Sequence, residues 1–541
     1  MSGPAMKTHD YIIVGGGAAG CVLAGRLTED PSISVLLLES GSERHSPLLS
    51  IPAAETVLMG NPKYDWCFET DADPTIAGRS VRIPRGRLLG GSNAINGMIY
   101  VRGQKEDYDD WAALGNPGWS WADVLPYFKS LEHAPEIGGE NRGRNGPISV
   151  GLPREHDELC DAFLKSAVKA GYPENPDYNS GNQEGFGYYQ VNHAEGRRSS
   201  AAGTYLKQAR HRPNLTLLTD AHVGVLRFAD KRCTGVEFRY KGGVHQARCR
   251  REVIVSAGTV QSPQLLELSG IGSAEILTAV GVPVIHHLPG VGENFRDHFA
   301  ARLRWRVRQP ITFNERSRGL GLVREIAKYV RNRRGLLSLP IALGHGFVSS
   351  SDKETRPDIQ FHFAPASYGA GSTRRLDTSP GMTLGVYQLR PESKGSVHIR
   401  SRNPLTPPAI RPRFLDTELD RTTLVAGMRI ARRIVEGPAL DPYREYELTP
   451  GLEVQTDDEL LEYVRNHGDT SYHPVGTCRM GSDTGAVVDG RLRVHGVAGL
   501  RVIDASVMPA IVSGNTNAAS LMIGEKGAAL VLEDHRKGSA A

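Results

Sequence analysis

The sequence predicts an α/β fold (α+β overall): a Rossmann-like domain with a β-meander, and a second domain of antiparallel sheet and helices. Three observations predict this fold. Residues 10–40 combine an apolar strand, a glycine-rich turn, a helical pattern and a second apolar strand, which together form a β-α-β unit. Residues 215–258 alternate strand-like runs with turn residues, as an antiparallel meander does, and end in another apolar strand, "EVIVSAG". Residues 156–214 and 301–460 mix amphipathic helical patterns with separate strand patterns.

The order of these patterns along the chain predicts a discontinuous first domain. A chain of 541 residues is too long for one hydrophobic core. The strand-like segment 499–509 and the helical segment 517–535 have the same character as the first β-α-β unit. We therefore expect a nucleotide-binding domain of residues 1–155, 215–300 and 461–541, interrupted by a second domain of residues 156–214 and 301–460.

Composition excludes several classes of function. The chain has 64 basic and 60 acidic residues, a net charge of +4, with no dominant basic cluster. No nucleic-acid partner or anionic membrane surface is therefore expected. The six cysteines are scattered without a CxxC pair, which favours free thiols in a reducing compartment. No apolar run approaches the roughly 18–20 residues of a membrane span, so we expect a cytoplasmic protein.

A glycine fingerprint follows the first strand. In "GGGAAG", Gly15 permits a tight turn, Gly17 lets the backbone approach a pyrophosphate, and Gly20 lets the helix pack closely on the strand. The helix N-terminus then offers free N–H groups to phosphates. Glu39 ends the second strand, where a carboxylate binds ribose hydroxyls and repels a 2′-phosphate. The pattern predicts a dinucleotide site that disfavours NADP and leaves FAD and NAD open.

Four further stretches decide between FAD and NAD. They are "GRLLGGSNAINGMIYVRGQKEDYDDW" (86–111), "GTVQSPQLLELSGIG" (258–272), "HPVGTCRMG" (473–481) and "GLRVIDASVMP…GNTNAASLMIGEKGA" (499–528). Together they resemble the motifs of the glucose–methanol–choline (GMC) family of FAD-dependent oxidoreductases, nearest its 5-hydroxymethylfurfural and aryl-alcohol oxidase and choline dehydrogenase-like branch. The likeness runs nearly end to end. Asn93 departs from the family pattern, which has a small residue there.

The resemblance implies a bound FAD. Small residues at 90–92 let the backbone lie against a planar ring system. Some relatives carry a histidine that holds the flavin covalently where this chain has Ile95, so non-covalent binding is expected. By resemblance, the FAD-binding residues are Gly15, Gly17, Ala18, Ala19, Gly20, Glu39, Gly91, Asn96, Gly97, Met98, Ile99, Val223, Tyr472, Asp504, Ala505 and Asn517.

His473 has three interpretations. A histidine before a proline is often structural. A metal site would pair it with His467 and Cys478, but spacings of six and five residues match no common zinc pattern, so no metal is expected. Alcohol oxidation needs a base for the hydroxyl proton, and a neutral imidazole with a pKa near ~6.5 suits that task. The family resemblance assigns this role to His473.

The second active-site residue is an asparagine in "SGNTN". Asn515 and Asn517 are equally polar, and the residues alone do not separate them. The family motif favours Asn515 as the group that hydrogen-bonds the substrate oxygen. It leaves Asn517 for the flavin or the backbone.

The resemblance implies that a primary alcohol is oxidised to an aldehyde by hydride transfer to flavin N5, with His473 as base. Apolar residues and histidines (His345, His362) dominate residues 335–369, with acidic residues mainly in a polar loop, 352–358. Choline binding needs an aromatic cage and a nearby carboxylate. This composition therefore favours an aryl or furanic alcohol oxidase that uses O2 and releases H2O2.

Other functions stay open at this stage. A choline or aliphatic-alcohol dehydrogenase with a non-oxygen acceptor is the alternative within the family. An NAD-binding reductase, or a flavoprotein without turnover, would be a different class of protein. A yellow purified protein would exclude the reductase, and bleaching of its flavin by an alcohol would exclude the inert flavoprotein.

Overall fold

Two seven-stranded sheets organise residues 8–43, 46–369 and 375–539, the part of the chain that this computed structural model describes. The first sheet has Leu500–Val502 paired to one of its inner strands, Gly243–Val255. Its other strands follow in the order Leu215–Leu218, Val35–Leu38, His9–Val14, Gly243–Val255, Arg232–Tyr240 and His222–Ala229.

The β-α-β unit predicted at residues 10–40 is confirmed by the strands His9–Val14 and Val35–Leu38 on either side of the helix Ala18–Leu27. Both strands are buried along their whole length. Burial on both faces explains why their sequences are continuously apolar rather than alternating.

The meander is confirmed over three of the predicted strands and is wrong at its two ends. Leu215–Leu218 pairs parallel with Val35–Leu38, so it extends the parallel sheet instead of turning back into the meander. "EVIVSAG" does not begin a new strand, because it continues Gly243–Val255. The first half of that strand is antiparallel to Arg232–Tyr240, and its second half is parallel to His9–Val14. One long strand therefore joins the meander to the nucleotide-binding sheet.

The second sheet carries Asp469–Thr470 beside its long strand, Phe299–Val307. The strand order is Arg444–Thr449, Phe299–Val307, Gly381–Gln388, Ile359–Ala364, Gly344–Val348 and Gly185–Tyr188. One face is apolar and packs on the helix Glu418–Val435, which approaches so closely that a Cβ on Gly427 would lie 2.5 Å from Val386. The opposite face carries the polar side chains.

The helical patterns of "GLVREIAKYVRNRRG" (321–335), "LVAGMRIARRIVEG" (424–437) and residues 517–535 are confirmed as Gly319–Asn332, Glu418–Val435 and Asn517–Ser539. In the described part of the chain, no helix has the length and apolar character that a bilayer crossing requires. The other helices of nine or more residues are Lys105–Ala113, Trp121–Leu131, Glu158–Lys169, Gly258–Leu268 and Asp457–His467.

Candidate active site

A cavity of about 1530 Å³ runs from the carboxyl ends of His9–Val14 and Val35–Leu38 to the polar face of the second sheet. Ligands of open parallel sheets bind at this end of the strands. The predicted site residues that line it are Gly15, Gly17, Ala18, Ala19, Glu39, Gly91, Asn96, Gly97, Met98, Ile99, Val223, Tyr472, His473, Asp504, Ala505, Asn515 and Asn517.

The glycine turn brings backbone to the cavity wall. Gly15 has φ +103°, and a Cβ there would lie 2.4 Å from the Ser256 carbonyl oxygen. A Cβ on Gly17 would meet nothing within 4 Å, so this residue borders open space at the start of the helix. Gly20 does not line the cavity, because a Cβ there would lie 1.9 Å from the Gly15 carbonyl oxygen. It instead lets the helix pack against the turn, and the open backbone at Gly17 fits a pyrophosphate.

Glu39 stands at the end of the second strand, beside this turn. Its two carboxylate oxygens accept hydrogen bonds from the N–H groups of Gly16 (2.8 Å) and Gly41 (2.6 Å). Burial nevertheless raises its pKa to about 7. The carboxyl group is therefore held rigidly at the cavity wall.

Residues 91–99 form an irregular segment along the middle of the cavity. Met98 has φ +62°, and its N–H donates to Asn96 Oδ1 at 3.1 Å. The same oxygen accepts a hydrogen bond from the buried Arg198 guanidinium at 2.7 Å, and burial lowers the pKa of Arg198 to about 10. Asn96 thus fixes a left-handed backbone turn at the cavity wall.

Asn93 and Asn517 are joined by a hydrogen bond at the cavity wall. Asn93 Nδ2 donates to Asn517 Oδ1 at 2.9 Å, while Asn93 Oδ1 accepts from the Ala201 N–H at 2.6 Å. The buried Nδ2 of Asn517 has no hydrogen-bond partner within the described residues. A buried donor at the wall of a cavity fits an acceptor atom of a bound group. Asn93, the departure from the family motif, therefore orients Asn517.

Asp504 closes the wall near the helix Gly258–Leu268. Its Oδ2 accepts from the Gly258 N–H (2.9 Å) and the Ser262 hydroxyl (2.6 Å), and its Oδ1 accepts from the Ser506 N–H (2.8 Å). These bonds fix the start of that helix and the short turn Ala505–Val507 at the cavity.

His473 lies three residues beyond the strand Asp469–Thr470, and its backbone N–H donates to Asp297 Oδ1 at 2.8 Å. Burial raises the pKa of Asp297 to about 7. The ring of His473 has two polar contacts. Its Nδ1 is 3.0 Å from Nδ1 of His298, and its Nε2 is 2.9 Å from Nδ2 of Asn515.

The neighbours of His473 determine its tautomer. His298 Nε2 lies 2.9 Å from the Leu389 carbonyl oxygen, which only accepts, so this nitrogen carries the proton. Burial lowers the pKa of His298 to about 4, so its ring is neutral and its Nδ1 is an acceptor. His473 Nδ1–H therefore donates to His298, and the lone pair of His473 Nε2 faces Asn515.

The electrostatic surroundings keep His473 unprotonated. Burial, followed by the nearby His298, His362 and Arg85, holds its pKa well below the ordinary 6.5. A neutral imidazole with an unprotonated Nε2 at a cavity wall has the form that a proton acceptor requires.

Asn515 connects His473 to the second sheet. Its Oδ1 accepts a hydrogen bond from Gln360 Nε2 at 3.2 Å, and this Nε2 is also 2.8 Å from the Tyr189 hydroxyl. Tyr189 in turn donates to the Phe361 carbonyl oxygen at 2.9 Å. The contacts fix which end of the Asn515 amide faces His473.

Several residues of this centre were not identified from the sequence. Asp297 and His298 lie directly before the strand Phe299–Val307, and Gln360 lies within a strand pattern. The only local signal is the polar pair "DH" at the start of an apolar strand. The contacts of His298 and Gln360 with the centre join residues 175 and 155 positions apart.

The far end of the cavity is formed by the second sheet. His362 lines it as expected, whereas His345 is buried outside the wall against Tyr178. Residues 352–358, the polar loop, are also outside the wall. His467 is exposed and lies at the rim of the cavity.

The fold and the site define a dinucleotide-binding enzyme with a buried, neutral imidazole at the cavity wall. Comparison with known families agrees: the GMC oxidoreductase models match residues 9–300 and 391–524. Oxygen-dependent choline dehydrogenase 1 of Chromohalobacter salexigens is 41% identical over 96% of this chain and 94% of its own. Alcohol dehydrogenase [acceptor] of Pseudomonas putida is 40% identical over 97% and 96%.

A solved structure gives the same result. Pyridoxine 4-oxidase from Mesorbium loti superposes with a TM-score of 0.89 at 32% identity, over 97% of this chain and 99% of its own. The chain belongs to the GMC oxidoreductase family, as the sequence motifs predicted. It is an alcohol-oxidising enzyme, and its cofactor is FAD.

Proposed function

We propose that this enzyme oxidises an aryl or furanic primary alcohol to the aldehyde, using O2 as acceptor and releasing H2O2, with His473 as the base. The observation that carries the proposal is the chain of hydrogen bonds from Leu389 through His298 to His473. It leaves the Nε2 lone pair of His473 at the cavity wall beside Asn515.

Each residue of the centre has a role in this proposal. His473 Nε2 takes the hydroxyl proton, and His298 holds the ring in the required tautomer. The Asn515 amide donates to the substrate oxygen and orients it. FAD, when bound, supplies the hydride acceptor. Burial of the centre excludes water from the reacting groups.

The cavity wall supports the proposed FAD contacts. Gly15, Gly17 and the helix that follows would hold the pyrophosphate, Glu39 the ribose, and the backbone of Val223 the adenine. Asn517 Nδ2 would donate to the flavin, and Ile95 offers no nucleophile for a covalent bond. All six cysteines are free thiols, which supports the proposed cytoplasmic location.

The charges at the substrate end favour a neutral or anionic alcohol over choline. Arg302 and Arg304 line this end, and the nearby acidic side chain, Asp469, is already paired with Arg302 at 3.5 Å. A quaternary ammonium would be repelled there. Pyridoxine, the compound in the name of the solved relative, carries hydroxymethyl groups on an aromatic ring.

The test is anaerobic mixing of the purified enzyme with benzyl alcohol or furfuryl alcohol, followed by admission of air. We expect the flavin absorbance to bleach and to recover in air with stoichiometric H2O2. Bleaching that persists in air would show a dehydrogenase with another acceptor, as in the Pseudomonas putida relative. Bleaching by choline alone would contradict the proposed substrate class.

A further inference from the structure

The polar face of the second sheet carries two arginines in the cavity wall. Side chains alternate along Phe299–Val307, so Leu303 and Trp305 point into the apolar core. Arg302 and Arg304 point the other way and line the cavity. This face is part of the wall opposite the FAD-binding sheet.

The strand register places these arginines at a defined depth in the cavity. Ala300 pairs with Tyr387, Arg302 with Gly385 and Arg304 with Thr383. Asp469, on the strand that leads to His473, also pairs with Ala300. Arg304 is four residues along the strand from Ala300, which corresponds to about 13 Å at ~3.3 Å per residue. The arginines therefore lie one and two steps beyond the row nearest the base.

Small side chains form part of the wall between the base and Arg304. In the row of Arg304 the sheet presents Thr383 and Ala364, and in the row of Arg302 it presents Gly385 beside His362. Ala364, Thr383 and Gly385 all line the cavity. The spacing of about 13 Å along the strand is long enough for the Arg304 side chain and a molecule with one ring.

The Arg304 guanidinium has more N–H donors than its two hydrogen bonds use. Its Nε donates to Thr449 Oγ1 at 3.0 Å, and a second nitrogen donates to the Tyr368 carbonyl oxygen. A guanidinium has five N–H donors, so others stay available to a ligand. Among the described residues, no carboxylate lies within 4 Å of Arg304. Its positive charge is therefore not neutralised by an ion pair.

The surrounding charges reinforce this local field. Burial, and then Arg79 and Arg304, lower the pKa of His467, which shows that two guanidinium groups act on the same end of the cavity. Arg79 itself donates to the carbonyl oxygens of Arg465 (2.8 Å) and Gly468 (2.8 Å). Asp469, an acidic group at this end, lies 3.5 Å from Arg302.

We propose that Arg304, with Arg302 beside it, is a carboxylate subsite, and that the enzyme acts on single-ring alcohols bearing a carboxylate at the end opposite the hydroxymethyl group. This inference rests on the proposed function. A carboxylate there accepts charge-assisted hydrogen bonds from a planar guanidinium fork. The same field repels the ammonium group of choline.

Binding of 4-methylbenzoate, which has no alcohol to oxidise, tests the subsite in the holoenzyme. Arg304→Gln should raise its dissociation constant roughly 10- to 100-fold, and that of neutral 4-methylbenzamide by less than about threefold. Arg306→Gln is the matched control. Arg306 is on the same strand and face, outside the cavity wall, and donates to the Pro380 carbonyl oxygen at 3.2 Å.

The substrate pair 4-(hydroxymethyl)benzoate and 4-(hydroxymethyl)benzamide gives the second readout. Wild type should have the lower KM for the benzoate, and Arg304→Gln should remove that preference while kcat for the benzamide is kept. Equal effects of the Arg304 and Arg306 substitutions, or no preference for the carboxylate in wild type, would overturn the subsite. If neither alcohol bleaches the flavin but 4-methylbenzoate still distinguishes the two variants, the subsite stands and the proposed reaction fails.

Discussion

At the scale of the residue, the centre depends on which ring nitrogen of His473 carries no proton. A backbone carbonyl fixes the proton of His298, and His298 then fixes that of His473. Because both rings are buried and neutral, the arrangement needs no carboxylate partner for the proposed base. Asn515 completes it from the other side.

Replacing the proposed base, His473, should slow flavin reduction without releasing FAD. We expect His473→Ala to reduce the rate of flavin reduction by roughly 10²–10⁴-fold, because general-base assistance is lost. The flavin content should be unchanged. Stopped-flow reduction under anaerobic conditions measures the effect, and a rate within a few-fold of wild type would show that His473 is not the base.

His298 acts through His473 as a positioning residue. His298→Leu should slow flavin reduction by roughly 10- to 10³-fold, because Nδ1 of His473 loses its acceptor and the free tautomers mix. The acid limb of the rate profile should also move to lower pH, because the neutral His298 accepts from Nδ1–H and so stabilises the protonated ring of His473, and leucine removes that acceptor. His298→Asn offers an amide oxygen and should restore part of the rate. If His298→Leu and His298→Asn lose the same fraction of the flavin-reduction rate and neither changes the pH profile, the role of His298 is purely structural.

Substitutions of Asn515 and Asn517 should change different measured properties. Asn515→Ala should cost about tenfold in flavin reduction through lost orientation of the substrate. Asn517→Ala should instead weaken FAD binding, because Asn93 aims its amide at the cavity. Flavin content and reduction rate are measured for both variants. The reverse pattern would exchange the two roles.

At the scale of the element, a substitution in the glycine turn should weaken FAD binding without changing the stability of the fold. Gly17 has φ −77° and faces open space, so Gly17→Ala should fold normally. Its methyl group would project toward the pyrophosphate, and FAD affinity should fall by at least tenfold. Flavin content and far-UV circular dichroism test this, with the exposed Gly138→Ala as control. An unfolded Gly17→Ala protein would contradict the prediction.

Local patterns predicted the elements that depend on local sequence. The β-α-β unit, the three meander strands and the long helices have periodicities that span a few residues. The parallel pairing of Leu215–Leu218 was missed because the sequence of an apolar four-residue run does not show which strand it pairs with. His298 and Gln360 were missed for the same reason, since their partners are distant in sequence. The domain boundaries stay a prediction.

At the scale of the whole molecule, buried histidines make stability depend on pH. His345 lies in the second sheet outside the cavity, and burial lowers its pKa to about 3. The unfolded chain binds a proton at this residue below about 6.5, whereas the folded chain does not. The contribution of His345 to the free energy of unfolding is therefore fully present above about pH 6.5 and is lost as the pH falls toward 3.

Removing that titration should flatten the acid side of the stability curve. Relative to wild type, His345→Leu should gain about 1 kcal/mol per pH unit of acidification between pH 6 and 4. The difference in Tm between the two proteins, measured across this range, should change steadily in favour of the variant. A pH-independent difference would show that His345 does not titrate on unfolding.

The first sheet also has a consequence for biosynthesis. The helix Ala18–Leu27 packs against Asn517–Ser539, with Arg26 bonded to Glu525 at 3.0 Å, and Leu500–Val502 completes the sheet. Translation delivers these partners on the order of a minute after the first strand, at about 5–20 residues per second. Until then the apolar helix face of the nascent β-α-β unit is uncovered. We therefore expect chaperones to bind this face during synthesis, and the cofactor to bind only after residues 500–539 have been made.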